Sequence, residues 1–154
     1  MLELAQPKDR EAVEALAQQV QGMHLAWRPD LFAEADCLYP EERFQEAVRK
    51  RELYVAKLGG EVAGYALLLI AEIDAPALIK RRIMKVEELC VEESCRGQGI
   101  GRAMMEDILA LARAFRCRDL ELKVYPQNEG ALAFYRACGF QIRNISMSRP
   151  VSLK

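Results

Sequence analysis

Histidine and tryptophan each occur only once in this chain, as His24 and Trp27. The five cysteines are an odd number, and no two of them are spaced as C-x-x-C. A zinc site would therefore lack its usual ligands, and a disulfide framework does not fit. We expect no metal site. Free thiols are typical of a reducing, cytoplasmic compartment.

Neither an excess of one charge nor a long apolar run is present. The 22 Lys and Arg residues balance 23 Asp and Glu residues, giving a net charge of −1, which disfavours a strongly basic nucleic-acid-binding protein. The longest apolar run, residues 66–71, is far shorter than the ~18–20 residues of a membrane helix. Residues 1–7 lack the basic and apolar stretches of a signal peptide. We expect a cytoplasmic protein with no nucleic-acid or membrane partner.

Length and composition predict a single domain over residues 1–154. The chain lies within the ~100–200 residues typical of one domain, and its 51% hydrophobic and 29% charged residues are ordinary for a globular protein. The spacing of apolar residues predicts the element order βααβββαβαβ, a mixed α/β fold. The predicted strands cover residues 2–5, 53–58, 61–70, 82–91, 120–125 and 142–149. The predicted helices cover residues 9–21, begin at 40 and after 101, and cover 128–138.

A strand, a glycine-rich loop and the start of a helix follow one another between residues 87 and 104. Gly97, Gly99 and Gly101 have no β-carbons, so an anion can approach the backbone closely there. The first amides of a helix have no partners within it, and the helix dipole adds positive charge. Arg96 and Arg102 add two further positive charges. This pattern predicts a phosphate-binding site, although the glycines would also suit a tight turn.

Two common nucleotide-binding motifs are missing from this loop. The dinucleotide pattern G-x-G-x-x-G, started at Gly97, requires a glycine where Arg102 stands. The Walker pattern requires G-K-[ST], which the chain lacks. A nucleotide-binding protein is therefore disfavoured.

Two motifs resemble those of the GCN5-related N-acetyltransferase (GNAT) superfamily. Residues 96–101, RGQGIG, match the pattern R/Q-x-x-G-x-G/A, and residues 128–140, NEGALAFYRACGF, match N-x-x-A-x-x-F-Y-x-x-x-G-F. The predicted element order is also similar to that of the family. The resemblance implies a central mixed, twisted sheet with two splayed parallel strands and helices on both faces. It also implies an enzyme that transfers an acetyl group from acetyl-CoA to a primary amine.

The resemblance also implies which residues hold acetyl-CoA. Backbone groups of the strand before the loop would face the acetyl and pantetheine groups, and the loop amides would hold the diphosphate. The second motif would line the cofactor arm, although Asn128 equally suits the N-cap of its helix. The cofactor-binding candidates are Leu89, Cys90, Val91, Arg96, Gly97, Gln98, Gly99, Ile100, Gly101, Arg102, Asn128, Ala131, Phe134 and Tyr135.

Tyr135 occupies the position of the family's general acid. A phenol with a pKa of ~10 can protonate a departing thiolate, although Tyr135 would also suit a half-buried core position. Histone-type members carry a glutamate where this chain has Lys85, so that base is missing. Polyamine-type members carry an acidic pair where Glu87 and Glu88 lie. We expect Glu87 to be the base or an amine-binding carboxylate, with Glu88 second, although both would suit a solvated strand edge.

Strand alternation predicts that Lys85 and Glu87 share one face of their strand and that Glu88 lies on the other. In the family, the segment corresponding to residues 24–32 forms one wall of the acceptor site. Trp27 and Arg28 are therefore substrate-binding candidates together with Glu87, although Trp27 would also suit a core position and Arg28 a solvated surface. His24 is a weaker candidate for the base.

Direct transfer is favoured over an acyl-enzyme intermediate. Cys90 suits a small apolar strand position, and the sequence identifies no base that would activate it as a nucleophile. The resemblance implies acetyl-CoA and an amine as partners. Members of the family often form dimers, so the resemblance also implies a homodimer. The alternative function is a non-catalytic acyl-CoA-binding sensor or subunit, which would bind acetyl-CoA without releasing CoA.

Overall fold

The computed structural model describes residues 1–152, and the chain divides into two compact units, Met1–Lys123 and Val124–Lys154. The first unit contains the strands β1 (Leu2–Leu4), β2 (Leu53–Leu58), β3 (Glu61–Ile73), β4 (Arg81–Val91) and β5 (Asp119–Leu122), and the helices α1 (Arg10–Trp27), α2 (Glu41–Arg49) and α3 (Ile100–Ala114). The second unit contains the helix α4 (Glu129–Ala137). That the whole chain forms one domain stays a prediction.

The five strands form one mixed sheet in the order β1-β2-β3-β4-β5. All neighbours are antiparallel except β4 and β5, which are parallel. The predicted mixed α/β fold is thus confirmed. The hairpin between β2 and β3 turns through Gly59 and Gly60, whose φ angles of +59° and +87° suit the tight two-residue turns that join antiparallel strands.

β4 and β5 separate along their length. Their pairing runs only from Ile83 to Val86 on β4, whereas β4 stays paired with β3 as far as Val91. Among the described residues, no strand pairs with residues 87–91 on the β5 side. This unpaired stretch opens the sheet between two parallel strands, as the resemblance implied.

A bulge lies at the start of the unpaired stretch. Val86 pairs with Leu68 and Glu88 pairs with the adjacent Leu67, so Glu87 is an extra residue without a partner on β3. Lys85 pairs with Leu69, two residues from Leu67, so Lys85 and Glu88 lie on the same face of the sheet. The prediction that simple alternation continues through Glu87 is therefore wrong, because the bulge shifts the register.

Helices cover both faces of the sheet. Side chains of α1 and α2, including Leu16 and Phe44, form a buried cluster with Tyr65 and other residues of β2, β3 and β4. On the opposite face, α3 approaches closely at Gly64. A β-carbon there would lie 2.6 Å from the carbonyl oxygen of Cys90 and 3.0 Å from Sδ of Met104, so this close approach requires glycine.

Helix α1 is longer than predicted, and the last predicted strand is missing. The helix continues to Trp27, and the amide of Arg28 bonds to the carbonyl of His24; Pro29 then disfavours a helical conformation at the preceding residue. Among the described residues 141–152 no strand forms, so the prediction of a strand over 142–149 is wrong. Alternating apolar residues specify a strand only when a neighbouring strand pairs with it.

In the second unit, α4 has the predicted ends. The Asn128 side chain accepts a hydrogen bond from the amide of Ala131 at 3.1 Å, which is N-cap geometry. Gly139, with a φ of +91°, ends the helix, and the amide of Phe140 bonds back to the carbonyl of Tyr135 at 3.0 Å.

Candidate active site

The loop between β4 and α3 has the conformation that its glycines predict. A short 3-10 turn (Glu93–Cys95) follows β4, and α3 begins at Ile100. Gly97 and Gly99 have φ angles of +78° and +80°, in the left-handed region that favours glycine. Nothing lies within 4 Å of the position that a β-carbon would take at either residue, so the space beside the backbone is open.

We call residues 96–102 the glycine cradle. Within the described part of the chain, the amides of residues 97–102 donate no hydrogen bond, whereas the next amide, Ala103, bonds to the carbonyl of Gly99 at 3.0 Å. Residues 96–99 and Arg102 are exposed. Arg96 Nε donates to the carbonyl of Val91 at 3.1 Å and so ties the cradle to the end of β4. Consecutive amides at a helix N-terminus form a site suited to an anion.

The unpaired stretch of β4 leads directly into the cradle. Leu89 and Val91 pair with Ala66 and Gly64 on β3, and their other edge has no strand among the described residues. Between them, Cys90 is 4% exposed. Burial raises the pKa of its thiol to about 11, so Cys90 remains a protonated, apolar core residue at neutral pH.

A buried hydrogen-bond network surrounds the second acidic residue of β4. Oε2 of Glu88 accepts hydrogen bonds from the hydroxyls of Tyr39 at 2.5 Å and Tyr65 at 2.8 Å, and Oε1 lies 3.3 Å from Nη2 of Arg43. Both tyrosines are at most 1% exposed, whereas the Glu88 side chain is 30% exposed. Burial, and then the charge of Glu88, raise the pKa of both phenols. We call these four residues the Glu88 cluster.

Contacts distant in sequence hold Tyr39 in the Glu88 cluster. The Glu14 carboxylate on α1 accepts hydrogen bonds from the amides of Leu38, at 2.9 and 3.0 Å, and Tyr39, at 2.6 Å. Although burial raises the pKa of Glu14, hydrogen bonds from Gln18 and these amides lower it overall. The Arg43 guanidinium lies 4.1 Å from the centroid of the Tyr39 ring.

Three rings form an aromatic wall at the end of α1. His24 stacks on Phe32 with ring centroids 4.7 Å apart, and its centroid lies 6.0 Å from that of Trp27. All three rings are partly exposed. Burial lowers the pKa of His24, and the nearby charge of Glu88 partly opposes this shift. The imidazole is therefore mainly neutral at neutral pH.

Most of the predicted site residues lie in the first unit. Glu87 is an exposed bulge residue, and Trp27 belongs to the aromatic wall. Arg28 forms an ion pair with Asp30, with Nη2 2.7 Å from Oδ2. Sequence reasoning missed the partners of Glu88, because residues 39, 43 and 65 have no characteristic spacing from it.

The other predicted residues lie in the second unit. Asn128 caps α4, and Ala131 and Phe134 are partly buried on that helix. Tyr135 is partly buried, with its ring centroid 5.4 Å from Phe134 and 5.6 Å from Phe140.

Within residues 1–152, no group of three or more His, Cys, Asp and Glu side chains could hold a metal ion. No helix in this part of the chain has the length and apolar character needed to cross a membrane.

Comparison with known proteins gives consistent matches. A model of the acetyltransferase (GNAT) family matches residues 20–140. The chain is 28% identical over 118 residues to glucosamine 6-phosphate N-acetyltransferase 1 of Oryza sativa subsp. japonica, covering 67% of each protein. It is 33% identical over 66 residues to the uncharacterized N-acetyltransferase MJ1207 of Methanocaldococcus jannaschii. That match covers 43% of the chain, which spans only 29% of the archaeal relative's length.

A solved structure matches this chain over nearly its whole length. A variant of the BH1408 protein from Bacillus halodurans superimposes with a TM-score of 0.93 at 29% identity, covering 99% of both chains. The matched protein therefore has the same mixed sheet and helices as this chain.

Proposed function

Because the chain belongs to the acetyltransferase (GNAT) family, we propose that it transfers the acetyl group of acetyl-CoA to a primary amine. The amine nitrogen attacks the thioester carbonyl directly. The observation that carries this proposal is the glycine cradle at the N-terminus of α3, which directly follows the unpaired stretch of β4. The cradle suits a diphosphate, and the open strand edge suits an extended chain bearing amide groups.

Acetyl-CoA supplies an activated thioester. In the proposal, Arg96 fixes the cradle, and the diphosphate is bound by the backbone amides of the cradle, namely those of Gly97, Gln98, Gly99, Ile100, Gly101 and Arg102. Backbone groups of Leu89 and Val91 bind the pantetheine arm as an added strand would, with Cys90 filling the core between them. Asn128, Ala131 and Phe134 are assigned to the cofactor arm by their match to the family motif.

Direct transfer is supported by the state of Cys90. Its burial and its raised pKa, about 11, make it a poor nucleophile at neutral pH. In the proposed reaction, the backbone amide near Val91 stabilises the oxyanion of the tetrahedral intermediate. Tyr135 protonates the departing thiolate, a role that rests on its position in the motif F-Y-x-x-x-G-F.

The amine side of the site is assigned to Glu87, Trp27 and Arg28. The exposed Glu87 carboxylate lies on the unpaired stretch and would attract a protonated amine, so we propose a cationic acceptor. Glu87→Gln should lower turnover by about 10- to 100-fold while changing the acetyl-CoA Kd less than about twofold. Stopped-flow turnover and calorimetric binding measure the two effects. Unchanged turnover would remove Glu87 from the mechanism.

The proposed function is tested with purified protein, acetyl-CoA and a panel of primary amines. The panel contains diamines, aralkyl amines, amino acid amides, amino sugars and lysine peptides. We expect amine-dependent release of free thiol and an acetylated product detected by mass spectrometry. If the protein binds acetyl-CoA but none of these amines causes release of the CoA thiol, the result would instead support the alternative function, a non-catalytic acyl-CoA-binding sensor or subunit.

We further propose a cytoplasmic homodimer without nucleic-acid or membrane partners. The free thiols of Cys37, Cys90, Cys95 and Cys117 suit a reducing compartment. Sedimentation equilibrium of the purified chain tests the dimer, and a single monomeric species at micromolar concentration would contradict it.

A further inference from the structure

We infer that two copies of the chain associate through the exposed edge of β3. Residues 69–73, which we call the open β3 edge, pair in antiparallel fashion with the same residues of the second copy around a two-fold axis. This inference deepens the proposed homodimer and rests on it. It makes the sheet continuous across the two copies.

The open β3 edge exists because β3 is longer than the strand beside it. Pairing with β2 ends at Leu67, and the next contact on that side is a hydrogen bond from the amide of Leu68 to the carbonyl of Glu52, at 2.8 Å. β3 continues to Ile73, and within residues 1–152 no strand pairs with residues 69–73 on this side. Ile70 is 43% exposed, so this edge is open to solvent.

The open β3 edge lacks the features that keep other edges from binding strands. Exposed edges are commonly protected by proline, by a bulge, by several charges or by a very short strand. Residues 69–73 read LIAEI, with no proline and one charge, and their register against β4 is regular. By contrast, the outer strands β1 and β5 have only three and four residues. An apolar edge of this length is suited to pair with another strand.

The directions of the backbone groups fix the pairing. In an antiparallel sheet, the amide and carbonyl of alternate residues point to the same side. The amide of Leu68 points toward β2, so those of Ile70 and Glu72 point to the open side. With Ile70 opposite the partner's Glu72, each such pair exchanges two hydrogen bonds, and the two-fold axis forms the pair twice.

The length of the open β3 edge matches the strand that fills it. In this register Ala71 lies at the centre, opposite the partner's Ala71. Glu52 already occupies the position beside Leu68. Because β3 ends at Ile73, each strand stops before it would reach Glu52 of the other copy. The same five residues can therefore fill the edge on both copies, as a two-fold interface requires.

Apolar side chains meet on one face of the joined sheet. Leu69, Ala71 and Ile73 share this face, since alternate residues of a strand point the same way, and each is only partly buried. The register places Leu69 opposite the partner's Ile73 on both sides of the central alanines. Apolar cross-strand pairs of this kind stabilise antiparallel sheets.

Opposite charges meet on the other face. Ile70 lines a hollow together with Lys50, Arg51 and Glu52, so cations outnumber acids there. The partner's Glu72 would lie opposite Ile70, beside this hollow. The side chain of Glu72 is 51% exposed in the single chain and can therefore reach the cations of the second copy.

The first test is a cross-link at the centre of the interface in the full chain. Opposite residues of a non-hydrogen-bonded antiparallel pair have Cα atoms ~4.5 Å apart, which is within disulfide range. Ala71→Cys should therefore form a disulfide between two copies under mild oxidation, with the linked peptides identified by mass spectrometry. Leu69→Cys is the matched control, because its counterpart would lie four residues along the strand, roughly 13 Å away. Equal cross-linking at both positions, or none at position 71, would overturn the inference.

The second test reverses charges and measures the dimer Kd by sedimentation equilibrium. Glu72→Lys should weaken the dimer by about 10-fold or more, because like charges then face each other. Since Glu72 also pairs with Arg82 in its own chain, the decisive variant combines Glu72→Lys with Lys50→Glu and Arg51→Glu. This triple variant should recover a Kd within about threefold of the wild type, and no recovery would contradict the proposed register. Glu61→Lys, on the part of β3 that β2 covers, should leave the Kd unchanged.

The outcomes separate this interface from the proposals on which it rests. A wild-type protein that stays monomeric would overturn both the homodimer and the open β3 edge as its interface. A wild-type dimer that forms no cross-link through Ala71→Cys would overturn this interface alone. Amine-dependent thiol release, measured on the same samples, tests acetyl transfer independently of either result.

Discussion

The glycine cradle and the Glu88 cluster adjoin the same strand but are built in different ways. The cradle consists of backbone amides from consecutive residues, exposed at the start of a helix. The Glu88 cluster consists of side chains from residues 39, 43, 65 and 88, which hydrogen bonds join and of which the two tyrosines are buried. A site built from consecutive backbone amides can therefore form locally, whereas a cluster of side chains such as this one depends on the packing of distant segments.

The largest expected effect tests whether binding of acetyl-CoA depends on the backbone of the cradle. Gly99→Ala places a β-carbon where the anion would approach and forces alanine into a φ of +80°. We expect acetyl-CoA to bind at least about 30-fold more weakly, or ~2 kcal/mol, by isothermal calorimetry.

Gly60→Ala is the control for backbone strain. Gly60 has a φ of +87° and open space around it, so this variant carries a similar strain of ~1–2 kcal/mol far from the cradle in sequence. It should lose stability while retaining its affinity for acetyl-CoA. Equal affinity losses in the two variants would mean that strain, and not the cradle, explains the effect.

The next effect tests whether the Glu88 cluster stabilises the fold through contacts between residues that are distant in sequence. Glu88→Ala leaves the buried hydroxyls of Tyr39 and Tyr65 without their acceptor, so we expect a loss of about 2 kcal/mol or more in the free energy of unfolding. The neighbouring, exposed Glu87→Ala should change it by less than ~0.5 kcal/mol. Urea denaturation measures both values, and similar losses in the two variants would contradict the proposed difference.

The last prediction compares two cysteines, one from each region. Cys90 is buried on the Glu88 side of β4 with a pKa of about 11, so only about one thiol in a thousand is ionised at pH 8. Cys95 is partly exposed directly before the cradle. Iodoacetamide at pH 8 should label Cys95 many times faster than Cys90, as measured by peptide mass spectrometry. Acetyl-CoA should slow only the Cys95 reaction, and fast labelling of Cys90 would show that this face of β4 opens readily.

Much of the fold could be predicted because its signals are local. The hairpin at Gly59 and Gly60, the strand before the cradle and the capped ends of α4 follow from turn residues and apolar spacing. The predicted strand over 142–149 failed because alternation does not specify a partner. The bulge at Glu87 was also missed, since it is defined by the register against Leu67 and Leu68 on β3.

The sequence by itself determined the α/β element order as far as residue 138, the anion-suited loop and the family, because each depends on neighbouring residues in a fixed pattern. Tertiary structure decided which acidic residue of β4 is hydrogen-bonded to two buried phenols and which is exposed. The physical reason is that hydrogen bonding, burial and charge act through space, and the chain brings these groups together only when its helices pack on the sheet.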